Sequence, residues 1–403
     1  SEDPPNYLVN FIHRFRSLGY DWMRVNAREA KMLRTTLRGS SDQIDLSGIT
    51  QALCNHRAKE LEQFDEIYHG MKRAARSRRN FVRQETAAKN RIHDCVDVLL
   101  PGFLNERESG LVPFSEASLW LMEKQFSPMR ISRMRFETLV KNLRRRRVHK
   151  PEDKASKLRA LAKSTLPAPE PLIEYHQRSL AVKVGLLRFT RSSVKVEENE
   201  MARRLVRTPG FYLTSCPGVG VPLAGHIMGE LGSPSRWLPV DNTASYAGIV
   251  CRESQTGGKD NPPVKGPLPQ DCNHILKDYL LQAAHHVGTT AMPPAVEETG
   301  VDREHTLYKH HLRLTNADSC SRLGTAKKFL KVARCLIRQE RFYMPAGWLA
   351  DDPDVDPESY LTFFERTLEV VKNKWKGYDL SGVDPDENRL ETARRLGATD
   401  TIS

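Results

Sequence analysis

The feature that most constrains the fold of this chain is the region from about residue 50 to residue 205, which is rich in Arg, Lys, Glu, Gln, Ala and Leu. This composition predicts long helices. Two basic runs lie in the region: Lys72, Arg73, Arg76, Arg78, Arg79, Arg83, Lys89 and Arg91, and then Lys141, Arg144, Arg145, Arg146 and Arg147. Such a run is either a solvated helix face or a surface for a polyanion. The formal net charge of +12 favours the second interpretation, so we expect these helices to bind nucleic acid.

The composition of the whole chain is that of a globular protein. Its 403 residues, 39% hydrophobic and 28% charged, predict two or three domains and exclude collagen-like, mucin-like and disordered classes. No run approaches the roughly 20 apolar residues that span a bilayer, and no signal segment opens the sequence. We therefore expect no membrane partner and a cytoplasmic location. The seven cysteines are scattered, which argues against a zinc ribbon and predicts reduced thiols.

The first fifty residues have a mixed pattern. Apolar residues at helical spacing predict a helix over 7–18, which Gly19 ends. A strand-like run covers 21–25, and a second helical run covers 27–37. Residues 40–42 are typical of an N-cap before a third helix. The order helix, strand, helix predicts an α/β fragment.

The composition shifts again at about Thr208, where prolines and glycines cluster between helical runs. We expect a further domain to begin there, with helices over 275–284 and 326–337, followed by an acidic loop and one more helix at about 361–371. Together the shifts predict four segments, which are 1–55, 56–205, 206–345 and 346–403.

Asp42 and Asp45 are three residues apart at the predicted start of the third helix, so both carboxylates project from one face. The pair is open to two interpretations. It is either an N-cap with an acid that the positive end of the helix favours, or part of a magnesium site to which Glu2 adds a third carboxylate.

Residues 213–231 read LTSCPGVGVPLAGHIMGEL, with a Pro-Gly-Val-Gly turn before an apolar helix. Gly218 and Gly220 do not open a dinucleotide-binding loop, because Leu223 stands where that motif needs its third glycine. The segment is either a plain helix turn or a helix-hairpin-helix turn whose backbone N–H groups meet a phosphate.

A glycine-flanked segment with hydroxyl side chains follows, and it contains Ser254, Thr256 and Lys259. The segment is either a solvated loop or the carrier of a nucleophile, and no base stands beside it in the sequence.

Several segments together resemble the insertion-sequence-110 family of transposases, the DEDD-type recombinases of bacterial mobile elements. Near the N-terminus, the matching segments are Glu2-Asp3-Pro4-Pro5-Asn6-Tyr7, Gly19-Tyr20 and Val25-Asn26-Ala27. The family's paired acids correspond to Asp42 and Asp45. In the C-terminal part, the matching residues are Leu213, Pro217, Gly218, Val219, Gly220, Ala224, Tyr246, Gly248, Ile249, Arg252, Glu253, Gln255, Thr256, Gly257, Gly258, Asn273, Leu276, Lys277, Leu280, Ala283 and Ala284. The resemblance covers residues 1 to about 345.

With this resemblance, the expected fold is mixed but predominantly α. It combines part of a RuvC-like, ribonuclease-H-type α/β domain over 1–55 with a basic long-helix, coiled-coil region over 56–205. An α-rich transposase domain with a helix-hairpin-helix-like turn covers 206–345, and an acidic loop, a helix and a polar tail cover 346–403.

The resemblance implies a DNA transposase of a bacterial insertion sequence. Glu2, Asp42 and Asp45 are expected to bind Mg²⁺, and the hydroxyl of Thr256 or Ser254 is expected to attack a DNA phosphodiester. The implied partners are the DNA of the element ends and target, a structured guide RNA, and further copies of the chain in a dimer or tetramer at the bacterial nucleoid. Nucleic-acid contacts are expected from Arg76, Arg79, Arg83, Arg144, Arg145, Arg146, Arg147, Gly218, Gly220, Lys259 and Lys277.

Three departures from the family pattern leave alternatives open. The family's leading Asp has no counterpart, so we expect a sequence that is shortened at its N-terminus. Thr256 stands at the place of the catalytic serine, and Cys272 stands where the family has a glycine before Asn273. The alternatives are an inactive remnant that only binds nucleic acid and a helical scaffold with no nucleic-acid role.

Overall fold

The computed structural model describes residues 8–20, 23–25, 27–34, 42–56, 59–60, 65–124, 126–237, 239–251, 253–254, 264–317, 320–344 and 357–391. Over these residues the fold is mostly helical, which confirms the predominantly α class expected from the sequence. The chain divides into two compact units, 1–65 and 66–403. None of the described helices is long and apolar enough to cross a membrane.

The first unit has short helices and one pair of two-residue strands among its described residues. In chain order they are α1 (Leu8–Ser17), β1 (Met23–Arg24), α2 (Ala27–Met32), α3 (Asp42–Cys54) and β2 (Lys59–Glu60). The strands pair antiparallel, with Met23 opposite Glu60. The order helix, strand, helix is the predicted one. Two residues per strand do not make a ribonuclease-H-type sheet, so the RuvC-like assignment stays a prediction.

The second unit contains the remaining elements. They are α4 (Glu66–Leu99), α5 (Glu106–Ser109), α6 (Glu116–Glu123), α7 (Pro128–Arg133), α8 (Phe136–Arg145), α9 (Pro151–Ser164), α10 (Glu170–Leu205), a 3₁₀ helix (Pro209–Ser215), α11 (Val221–Leu231), a short 3₁₀ turn (Pro234–Arg236), α12 (Val240–Tyr246), β3 (Glu253–Ser254), β4 (Val264–Lys265), α13 (His274–Thr289), α14 (Pro294–Glu297), α15 (Thr306–Asn316), α16 (Ser321–Gln339) and α17 (Pro357–Trp375). Prolines stand in the first turn of α7, α9 and α10, where a missing N–H costs nothing.

Helices α4 and α10 form a long antiparallel pair. Ser77 of α4 donates to Glu197 of α10 at 2.7 Å, and further along α4, Glu85 accepts from Arg191 at 3.1 Å. The partner numbers fall along α10 as they rise along α4, so the helices run in opposite directions. Their 34 and 36 residues correspond to about 50 Å each. The long helices predicted from composition are thus present, while a coiled-coil geometry stays a prediction.

The helix pair connects two hydrophobic cores. One core joins the C-terminal half of α4 and the first half of α10 to the short helices α6 to α9, and Phe103 meets Phe126 there with ring centroids 4.6 Å apart. The other core joins the opposite ends of the pair to the elements from the 3₁₀ helix to α17. Met71 of α4 and Trp375 of α17 both belong to this second core.

Candidate functional site

A short hairpin carries one of the two candidate nucleophiles. β3 pairs antiparallel with β4, so Ser254 lies opposite Val264 and Glu253 opposite Lys265. Thr256 and Lys259 lie outside the described residues. The prediction that Thr256, or else Ser254, supplies the nucleophilic hydroxyl therefore stays a prediction.

Tyr246 and Asn273 flank the hairpin, and hydrogen bonds between them close its neck, the place where the chain enters and leaves the hairpin. The backbone N–H of Asn273 donates to the carbonyl of Tyr246 at 2.8 Å, and the side-chain amide of Asn273 donates to the Tyr246 hydroxyl at 3.0 Å. Gly248 has φ +67°, and a side chain there would meet the sulfur of Cys272 at 2.5 Å. The position needs glycine both for its left-handed backbone and for the close approach. The chain is thus held together where it enters and leaves the hairpin.

Asn273 connects the hairpin to the helical core. Its buried side chain caps α13, because Oδ1 accepts from the backbone N–H of Leu276 at 3.0 Å. Its amide nitrogen also donates to Oε2 of Glu230 at 2.9 Å. One side chain therefore bonds α13, Tyr246 and the end of α11.

Glu230 is a buried carboxylate whose charge is matched by α4. Its side chain has no exposed surface. Arg76 donates to it through two nitrogens, at 2.8 and 3.1 Å, and the ammonium of Lys72 lies 3.9 Å away. A buried carboxylate is tolerated only when it is paired and hydrogen-bonded, and this arrangement meets both conditions. Arg76, predicted from sequence to contact nucleic acid, is thus half-exposed and paired with a buried acid, and its contact with nucleic acid stays a prediction.

A second polar cluster lies one turn away, around His226 of α11. The His226 ring stacks on Tyr279 of α13 at 3.8 Å, and its Nε2 lies 3.3 Å from Nη1 of Arg78. Burial, assisted by Arg78 and Arg79, lowers the pKa of His226 to about 3. The imidazole is therefore neutral near pH 7, and Nε2 accepts from Arg78. Arg78 also binds Glu198 of α10 at 2.8 Å, so the cluster ties four helices together.

The Pro-Gly-Val-Gly turn is held from within by a lysine of α17. Nζ of Lys374 donates to the carbonyls of Thr214, Cys216 and Val219 at 2.6, 2.9 and 3.0 Å. Burial lowers the pKa of Lys374 to about 8. All three donors of the ammonium are used by this turn, so α17, from the predicted 346–403 segment, stabilises the turn.

Gly218 allows the same turn to approach α13. It has φ +74°, and a side chain there would meet the backbone carbonyl of His286 at 2.8 Å. Gly220 is the N-cap of α11. Gly218 thus serves a close packing contact, and phosphate binding by this turn stays a prediction.

The predicted acids occupy the first turn of α3. Asp42 begins the helix, as the sequence predicted. Oδ1 of Asp45 lies 2.5 Å from Nη2 of Arg34, which follows α2. Glu2 and the side chain of Asp42 lie outside the described part of the chain. No group of three His, Cys, Asp or Glu that could hold a metal occurs among the described residues, so the magnesium site stays a prediction.

Most of the predicted basic contacts in α4 and α8 have internal partners. Arg79 pairs with Asp278 of α13, and Arg144 pairs with Glu152 of α9. The Arg146 guanidinium lies over the Trp120 ring, 4.0 Å from its centroid. By contrast, the exposed side chains of Arg83, Arg145 and Arg147 form no ion pair within the described chain, and Lys277 is half-buried on α13.

Sequence reasoning missed the residues that hold the site together. Glu230 stands in the last turn of an otherwise apolar helix, where the negative end of the helix disfavours an acid. Lys374 stands among the apolar residues that α17 buries. A lone charge in an apolar stripe is the signal that predicts a buried partner. The sequence does not show which residue is the partner, because the partners of Glu230 and Lys374 lie more than 150 residues away along the chain.

Two comparisons relate this part of the chain to known proteins. Residues 211–298 match a family model described as Transposase IS116/IS110/IS902 family. The match runs from the 3₁₀ helix to the end of α14, so it contains Glu230, Ser254 and Asn273. The chain is also similar to the "Insertion element IS110 uncharacterized 43.6 kDa protein" of Streptomyces coelicolor (strain ATCC BAA-471 / A3(2) / M145), with 25% identity over 306 residues, 72% of this chain and 69% of that protein. Residues 211–298 are therefore similar to the transposase domain of the IS116/IS110/IS902 family.

Proposed function

We propose that this chain is a DNA transposase of a bacterial insertion element and that it cuts and rejoins DNA through a hydroxyl on the hairpin between Tyr246 and Asn273. The observation that carries the proposal is that the family match over 211–298 contains this hairpin together with the buried residues that anchor it. An anchored neck restricts the motion of the hairpin. A nucleophile must be held in position for an in-line attack on a phosphate, and this restriction serves that purpose.

The proposed reaction exchanges one phosphodiester for another. The hydroxyl oxygen of Thr256 or Ser254 bonds to a DNA phosphorus, the bond from phosphorus to the leaving DNA oxygen breaks, and the leaving oxygen takes up a proton while the attacking hydroxyl loses one. A DNA hydroxyl then reverses the exchange on the new strand. Because the number of phosphodiester bonds does not change, the reaction needs no nucleotide cofactor.

Magnesium is part of the proposal through the acids of the first unit. Carboxylates such as Glu2, Asp42 and Asp45 are the donors that Mg²⁺ prefers, and the ion when bound would stabilise negative charge on the phosphoryl oxygens. The pairing of Asp45 with Arg34 means that a metal would compete with a guanidinium for this carboxylate.

The proposed partners are the element's DNA and a structured guide RNA. Net charge supports a polyanionic partner, and Arg83, Arg145 and Arg147 present exposed guanidinium groups for it. The guide RNA is proposed on the family resemblance.

We also propose that copies of the chain associate through α10. Four of its exposed apolar side chains, Tyr175, Val182, Phe189 and Val196, recur every seven residues, and they are 60 to 74% exposed. Leu186 adds a further exposed apolar side chain on the same stripe. Apolar residues at a heptad spacing fit the seam between two supercoiled helices, and a second α10 offers the same pattern.

The proposed activity is tested by strand transfer on duplex DNA from the sequences that flank the coding region, with Mg²⁺ present. We expect transfer by the wild type, equal or greater transfer by Thr256→Ser, and none by Thr256→Ala. Loss only in Ser254→Ala would move the nucleophile to Ser254. Transfer that survives both alanine variants would refute a hydroxyl nucleophile on this hairpin. DNA binding without transfer by the wild type would favour the remnant that only binds nucleic acid.

A further inference from the structure

Helix α16 forms a basic surface outside the region that matches the family model. Its 19 residues contain six Lys and Arg and no acidic residue. The apolar side of the helix is buried in the C-terminal core through Ala326, Phe329, Leu330, Ala333, Leu336 and Ile337. The opposite side is therefore the one that faces solvent.

The solvent-facing side carries its charges in one row. Lys328, Lys331, Cys335 and Arg338 are separated by three, four and three residues, and all four are exposed. This spacing places them along one line on a helix. At about 1.5 Å per residue, the row is about 15 Å long.

The cations of this row form no ion pair with a described residue, unlike those of α4, and Lys331 acts only at longer range on Asp241, whose pKa its charge helps to lower. On α4, Arg76, Arg78 and Arg79 each bind an acid of another helix. On α16, Lys327 pairs with Asp241. No ion pair of Lys328, Lys331 or Arg338 is formed among the residues that the structure describes. Basic residues of α4 thus bind acids of neighbouring helices, whereas the row on α16 is available to a partner.

We propose that the exposed row of α16 binds the sugar–phosphate backbone of duplex DNA. Unpaired cations in a line recognise a regular series of phosphates without reading bases, and binding releases the counterions of the duplex. Insertion into a membrane does not fit, because the apolar side of α16 is buried in the core. An acidic protein fits less well, because the row contains no apolar or aromatic side chain for the dry centre of an interface. The choice of DNA rests on the proposed function.

The test compares two triple variants of the full chain that lose the same charge. One is Lys328→Gln/Lys331→Gln/Arg338→Gln. The matched control is Arg133→Gln/Lys157→Gln/Lys163→Gln, at exposed positions of α7 and α9 that form no ion pair among the described residues. Affinity for a fluorescent duplex DNA of mixed sequence is measured as a function of KCl concentration. Both variants are first checked for wild-type circular dichroism and melting temperature.

We expect the α16 variant to reduce the slope of log affinity against log salt by about 3, which corresponds to an affinity loss on the order of 10²-fold at about 0.1 M salt. The control should lose about threefold or less. In the wild type, duplex DNA should also protect Cys335 from alkylation, because this thiol lies within the row.

Each other outcome has a defined meaning. Equal losses in both variants would show an effect of net charge and overturn the assignment to α16. Wild-type affinity in the α16 variant would overturn it while leaving the proposed transposase function intact. A loss confined to duplex RNA of the same sequence would overturn the assignment to DNA. Absence of DNA binding by the wild type would overturn the proposed function itself.

Discussion

Replacing Arg76 by Met tests the buried network that anchors the hairpin. The change keeps much of the side chain's apolar length and removes the guanidinium that donates twice to Glu230, at 2.8 and 3.1 Å. The carboxylate would stay buried with Asn273 at 2.9 Å and Lys72 at 3.9 Å as its remaining partners. Removing one partner of a buried ion pair costs about 3–5 kcal/mol, and the two remaining partners place this case near about 3 kcal/mol.

The assay is thermal unfolding followed by circular dichroism, combined with a double-mutant cycle. At about 2.1 cal/mol/K of unfolding entropy per residue, the second unit has about 0.7 kcal/mol/K, so a loss of about 3 kcal/mol should lower its melting temperature by roughly 4 °C. Glu230→Gln removes the buried charge, so the double variant Arg76→Met/Glu230→Gln should lose less than the sum of the two single variants, by about 2 kcal/mol. Arg83→Met, which changes an exposed arginine of the same helix, should leave the melting temperature unchanged. A wild-type melting temperature for Arg76→Met, or additive losses in the cycle, would refute the reasoning.

Three further predictions concern other parts of the chain. Lys374→Met should lower the melting temperature, because three backbone carbonyls lose their hydrogen-bond donor. The pKa of Lys374 is lowered from 10.5 to about 8 in the folded protein, so the unfolded chain binds more protons between these pH values. The melting temperature of the wild type should therefore rise with pH in this range, and that of the variant should not. The double change Val182→Glu/Phe189→Glu should convert a wild-type oligomer to monomer in sedimentation analysis, with helix content unchanged, whereas an unchanged mass would exclude this face of α10 from self-association. Asn273→Leu should accelerate amide hydrogen exchange over 264–273 by about tenfold or more, because the neck loses its bond to Tyr246 and to Glu230; wild-type exchange rates would show that Asn273 does not close the neck.

The helices were predictable wherever local pattern decides the structure. The sequence predicted a helix that begins near Asp42, and α3 begins there. It also predicted the long helices of the 56–205 region, because a charged and alanine-rich composition is specific to helix. The sequence did not show that α4 and α10 lie side by side and antiparallel, because contacts such as that of Glu85 with Arg191 join residues more than 100 positions apart.

The candidate site was predictable in part. The resemblance placed a transposase domain over 206–345, and the family match over 211–298 falls within that range. Charge counting could not separate Arg76, which binds a buried acid, from Lys331, which faces solvent. The difference depends on which helix packs against each cation, and this information is tertiary. The anchoring role of Asn273 is hidden for the same reason, because its partners come from three different elements.

The central claim is that a hydroxyl on the anchored hairpin joins covalently to DNA. It is tested most directly by incubating the chain with Mg²⁺ and a nicked duplex from the flanking DNA, which traps the covalent intermediate, and by mapping the attached nucleotide with mass spectrometry after proteolysis. We expect the nucleotide on Thr256 or Ser254, with yield lost in Thr256→Ala if Thr256 is the attachment site. A nucleotide attached to any residue outside 253–265, or cleavage of DNA with no covalent product, would contradict the claim.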